Sequence, residues 1–91
     1  MLYCYVIDNI YRLARFYKKD ISEIEKMLGV HPGYFSRLIR LGKLPKLELL
    51  LKLCERYGCG VDFICFRRLD YKDDYTIEQL LREEREKHYE G

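Results

Sequence analysis

The sequence has no apolar run approaching the roughly 20 residues a membrane-spanning helix needs, so neither a span nor a membrane partner is expected. It has no internal repeats and no low-complexity segments. Its four cysteines, Cys4, Cys54, Cys59 and Cys65, make no C-x-x-C pair, and only His31 and His88 are available to complete a metal site. Zinc sites use short paired spacings, so no metal and no cofactor is expected. The cysteines read instead as reduced thiols in or near a core, where cysteine behaves as a small hydrophobe. There is no nucleophile–base pair and no phosphate loop, so an enzyme is not expected. The amino end is apolar but lacks a basic leader and meets Asp8 at once, which points to a cytoplasmic chain rather than a secreted one.

The most informative absence is of acid. Residues 26–47 contain no Asp or Glu, yet hold Lys26, Arg37, Arg40, Lys43 and Lys46. The whole chain is nearly balanced at +2, but the balance is uneven. Residues 1–69 carry 13 Lys and Arg against 7 Asp and Glu, a net of +6; residues 70–91 carry 4 against 8, a net of −4. A basic window followed by an acidic tail suggests an anionic partner with one preferred face. A solvated surface whose balancing acids lie elsewhere in the sequence is the competing reading.

What is present fits one small globular domain: 91 residues, 48% hydrophobic and 35% charged. Val6, Ile10, Leu13 and Tyr17 recur at helical spacing, which predicts a helix over about 7–19. Either that helix begins earlier, with Tyr3 on the same face, or residues 2–6 form a short strand. Asp20 with Glu23 makes a capping box for a second helix carrying Ile24, Met27 and Leu28, closed by Gly29. Pro32 suits a first helical position, with His31 as N-cap, and Phe35, Leu38 and Ile39 would be that third helix's buried stripe. Two short helices across a glycine turn suggest a helix-turn-helix, although an ordinary helical hairpin has the same periodicity.

Pro45 is expected to open a fourth helix to about Tyr57, apolar on two faces, with Leu47, Leu50, Leu51, Cys54 and Tyr57 on one and Leu49 and Leu53 on the other. Residues 61–66 read as a short fifth helix. After a connector, Thr76 with Gln79 suggests a second capping box and a charged helix to about 89. Its thin stripe of Ile77, Leu80 and Leu81 makes it a weakly docked appendage or a piece that needs a partner.

Residues 9–64 resemble the lambda-repressor-like (XRE, Cro/CI-type) helix-turn-helix family. The resemblance rests on Asp20-Ile21-Ser22-Glu23-Ile24-Glu25-Lys26-Met27-Leu28-Gly29-Val30, then His31-Pro32-Gly33-Tyr34-Phe35-Ser36-Arg37-Leu38, then Pro45-Lys46-Leu47-Glu48-Leu49-Leu50-Leu51-Lys52-Leu53, all in register. It implies an all-α fold: a compact five-helix domain over 1–69 whose third helix enters the DNA major groove, followed by an acidic connector and additional C-terminal helix over 70–91. It also implies that Ile24, Leu28, Val30, Phe35 and Leu38 hold the two helices together.

By the same resemblance, Gly33, Ser36, Arg37 and Arg40 match positions that usually face DNA, while Lys43 and Lys46 would meet phosphates. Tyr34 either hydrogen-bonds a phosphate or caps the packed edge of the third helix. The chain departs from the family pattern at Glu25, where a small alanine is usual, and at Ile21, where glutamine is common. Pro32 and Gly33 occupy places that often carry base-reading side chains. Base reading would then rest mainly on Arg37, with Ser36 secondary and Arg40 on phosphate.

The function this implies is sequence-specific double-stranded DNA binding by a small transcriptional regulator of bacterial, phage or mobile-element origin. It would act by operator occupancy as a homodimer. A protein partner is the other reading: an antitoxin-like or accessory module that kept the fold. Leu41, Leu44 and Leu49, polar in most of the family, or the helix at 76–89 would be its contact, unless those leucines simply repack locally.

Overall fold

The spacing of Val6, Ile10 and Leu13 yields the first helix, α1 (Val6–Phe16), which buries all three with Ala14. In the computed structural model, residues 4–89 are described, with side chains for 4–87. The other helices are α2 (Ile21–Leu28), α3 (Tyr34–Leu41), α4 (Leu47–Tyr57), α5 (Val61–Phe66) and α6 (Asp74–Tyr89). No strand occurs among the described residues. Cys4 and Tyr5 precede α1 without regular structure, and the rest of the strand alternative, with Tyr3, lies outside the described residues.

α1 is shorter than its hydrophobic pattern. Lys18 takes a left-handed φ of 57°, and the Lys19 amide donates back to the Ala14 carbonyl at 2.8 Å. That six-to-one bond closes the helix three residues before the expected end. The α2 start follows the sequence: the Asp20 and Glu23 capping box is formed in both directions. Gly29, at φ 74°, ends α2 as anticipated.

α1 also carries polar groups at buried positions. Asn9 is completely buried; its amide nitrogen donates to the Ile64 carbonyl at 2.8 Å and to that of Arg67, and its oxygen accepts the Leu69 amide at 3.1 Å. Arg12, also buried, donates to the Lys72 carbonyl at 2.9 Å and to Asp74 Oδ1 at 2.6 Å. One turn of α1 thus holds the chain leaving α5 and entering α6.

α6 is not the loosely docked helix its thin stripe suggested. Ile77 and Leu81 are fully buried in the same core cluster as the residues of the other five helices. Glu84, one further turn along, is buried and accepts the Gly60 amide at 3.1 Å. The radius of gyration, 12.8 Å, lies near the ~12 Å of a compact chain of this length, as it would not if α6 projected. α6 begins two residues before Thr76 because Asp73, not Thr76, caps it: Asp73 Oδ1 accepts the Thr76 amide at 2.8 Å. That bond holds the Asp73 carboxyl below its ordinary range.

Candidate nucleic-acid interface

The position of α3 is fixed by a turn and by a carboxylate from another helix. The Tyr34 amide donates to the His31 carbonyl at 3.1 Å, and Gly33 sits at φ 84°, ψ 7°. With Pro32 before it, Gly33 occupies the third place of a type II turn, where a side chain would be strained. Pro32 is therefore a turn residue and not the first residue of α3, and the N-cap is Gly33, not His31.

Gly33 has no side chain with which to cap the helix. Glu25 does it from α2. Its Oε1 accepts the Gly33 amide at 3.1 Å and its Oε2 accepts the Phe35 amide at 3.0 Å. Glu25 is only 3% exposed, so the bonds form where water competes poorly. A negative charge there also complements the positive end of the α3 dipole. The residue that departs from the alanine of the resemblance is thus the piece that joins α2 to α3.

Phe35 and Leu38 of α3 face the core, and Tyr11 and Tyr34 meet the Phe35 ring edge-on at 6.5 and 5.2 Å between centroids. Tyr34 is half-buried, in keeping with packing at the helix edge. Ser36, Arg37 and Arg40 are exposed. At spacings of three and four they share one side of α3, with neighbouring Cβ atoms roughly 5–6 Å apart. Gly33 is exposed at the N-terminal end of that side. Lys43 is exposed just beyond Gly42, and exposed Lys46 is the N-cap residue of α4. α4 therefore starts at Leu47, two residues later than Pro45 suggested, and no side chain among the described residues caps its first amides.

Among the described residues Arg37, Arg40, Lys43 and Lys46 make no ion pair, whereas Arg12, Lys19, Arg68, Arg82 and Lys87 do. No family model, curated protein or solved structure matches the chain. The site itself offers a row of unpaired guanidinium and ammonium groups with one hydroxyl, presented on and just beyond a helix anchored at its start.

The apolar surface near this row differs from the expected one. Leu49 is 7% exposed and belongs to the core, so it cannot serve a partner; Leu41 and Leu44 are exposed and have not repacked into the core. Leu47 and Leu51, assigned to a buried face, are 62% and 51% exposed, and Ile39 is 56% exposed. α4 is turned so that Leu49, Leu50, Leu53, Cys54 and Tyr57 face inward.

Cys54, Cys59 and Cys65 are buried and Cys4 is partly so, in keeping with core or near-core thiols. Cys59 hydrogen-bonds Cys54 and is raised far above its ordinary value by that bond and by burial. Burial pushes Cys65 to about 11. No helix among the described residues is long and apolar enough to cross a membrane. No group of three or more His, Cys, Asp or Glu suited to a metal occurs among them either, and the His88 side chain lies outside them.

Proposed function

We propose that the chain is a sequence-specific double-stranded DNA-binding protein, a small regulator of the lambda-repressor-like helix-turn-helix form. α2 and α3 are its helix-turn-helix, α1–α5 its DNA-binding body, and α6 its addition. The observation that carries the reading is the exposed side of α3, where Ser36, Arg37 and Arg40 stand together and neither arginine has an ion-pair partner among the described residues.

The mechanism is occupancy. α3 enters the major groove, and Arg37 reads a guanine by two parallel hydrogen bonds, a contact worth about 1–3 kcal/mol of discrimination. Ser36 adds a weaker contact. Arg40, Lys43 and Lys46 hold phosphates, with the uncapped amides of α4 assisting Lys46. A homodimer doubles the readout across a two-fold site, and bound protein blocks or recruits polymerase in the cytoplasm without chemistry of its own.

A protein-contact reading is favoured by a different observation, the exposed Leu44, Leu47 and Leu51. Selection of bound duplexes from a random pool, at low and near-physiological salt, separates the two. A two-fold motif with half-sites about 10 bp apart supports the regulator. Binding that enriches no motif and vanishes steeply with salt means phosphate attraction alone, and favours the protein-contact module.

A further inference from the structure

A cavity of about 460 Å³ that uses no residue of α3 lies where α2, the ends of α1 and α4, and α6 meet. Two tyrosine rings form one wall: Tyr17 and Tyr57 stack with centroids 5.1 Å apart and planes 5° from parallel. Ile24 and Met27 give it an apolar side. Three cations, Lys19, Arg56 and Arg85, line it against one carboxylate, Glu23, which Lys19 already pairs at 3.6 Å. Arg56 and Arg85 have no carboxylate partner among the described residues; Arg85 donates only to the Tyr17 hydroxyl, at 3.2 Å.

The Tyr57 ring lines this cavity, while its hydroxyl is shut off from accessible space. Tyr57 is 94% buried by its 6% exposure, and its hydroxyl oxygen has no hydrogen-bond partner among the described residues. A buried hydroxyl without a partner lowers stability, and phenylalanine would fill the same space without that cost. Burial pushes Tyr57 to about 12, so the hydroxyl is a standing proton donor at neutral pH.

We propose that this cavity binds a small molecule bearing an anionic group, carboxylate or phosphate, on an aromatic or aliphatic body. The anion sits between Arg56 and Arg85, and the body lies against the tyrosine rings, Ile24 and Met27. Arg85 and Met27, both exposed at the cavity's edge, adjust to admit it. The inference goes beyond DNA binding and uses none of its residues, so either can fail alone.

The test is titration of the isotope-labelled full chain, followed by amide NMR, with benzoate, phenyl phosphate, inorganic phosphate and neutral benzyl alcohol. The expected result is saturable shifts at the cavity residues with benzoate or phenyl phosphate, with inorganic phosphate and benzyl alcohol roughly tenfold weaker. The tighter of the two aromatic anions distinguishes a carboxylate from a phosphate ligand. Arg56→Gln and Arg85→Gln, at exposed side chains, should each weaken binding about tenfold. Tyr57→Phe keeps the ring and removes only the buried hydroxyl, so binding should hold while the thermal midpoint holds or rises. If Tyr57→Phe does not fold, the two arginine variants decide. Benzyl alcohol binding as well as benzoate, shifts centred on Arg37 and Arg40, or affinities unmoved by the arginine variants would overturn the proposal.

Discussion

Replacing Glu25 by alanine should do far more damage than its place on a short surface helix suggests. The carboxylate accepts the Gly33 and Phe35 amides, at 3.1 and 3.0 Å, and lies 3% exposed. Gly33 is exposed, so water replaces its lost bond at roughly 0.5–1 kcal/mol. Phe35 is completely buried, and its orphaned amide costs about 1–3 kcal/mol. Loss of a charge complementing the α3 dipole adds about 0.3–1 kcal/mol. The total, roughly 2–5 kcal/mol, is a large part of the ~5–14 kcal/mol available to a chain of this size.

Glu25→Gln should fall between, because it retains one acceptor but turns an amide donor toward the second N–H. Urea unfolding followed by helical circular dichroism reads the effect. With a slope of about 1–1.5 kcal/mol per molar, the middle of that range lowers the Glu25→Ala midpoint by roughly 2–3 M. Amide exchange at Phe35 should accelerate in step. An alanine variant within about 0.5 kcal/mol of wild type, with Phe35 still protected, refutes the cap. Alanine would then be as good here as in the family the sequence resembles.

Three further outcomes follow from the same geometry. Lys18→Gly should raise stability by about 0.5–1 kcal/mol, because it relieves a left-handed lysine at φ 57°; Lys18→Ala should give no such gain in the same urea assay. Leu49→Gln should cost about 2–4 kcal/mol by placing an amide in the core, while Leu51→Gln should stay within about 0.5 kcal/mol in thermal melts. Tyr57 should contribute to alkaline unfolding. The unfolded chain releases the tyrosine proton near pH 10, whereas the folded chain holds it to about 12, so the unfolded state binds fewer protons between those values and stability falls as pH rises. Tyr57→Phe should flatten that fall in denaturant midpoints measured across pH 9–12; an unchanged slope contradicts the burial argument.

Local chemistry was legible in the sequence where it is self-contained. The capping box of Asp20 and Glu23, the Gly29 ending and the bounds of α5 are set by residues within a few positions of one another, and all appear in the structure. The Pro32-Gly33 pair is a turn signal too, and the left-handed glycine makes it a turn despite proline's fitness for a helix start. Asn9 and Arg12 bond to partners 55 to 62 residues away, so nothing in their own neighbourhood marks them. Glu25 acts eight and ten residues downstream, across a turn. α4 is apolar on too many sides for periodicity to choose among Leu47, Leu49 and Leu51; packing against the other helices makes that choice. The docking of α6 rests on two fully buried aliphatic residues and one carboxylate, and a count of its many charges hides them. The exposed row from Ser36 to Lys46 was legible because charge and helical spacing both pointed to it.

The most direct test of the central claim compares wild type and Arg37→Ala on a duplex selected from the random pool and on a scrambled duplex. If Arg37 reads a base from α3, its loss should remove about 1–3 kcal/mol of preference per half-site, while binding to the scrambled duplex changes only a few-fold. A preference unchanged by Arg37→Ala, or no preference in the wild type, contradicts sequence reading by α3.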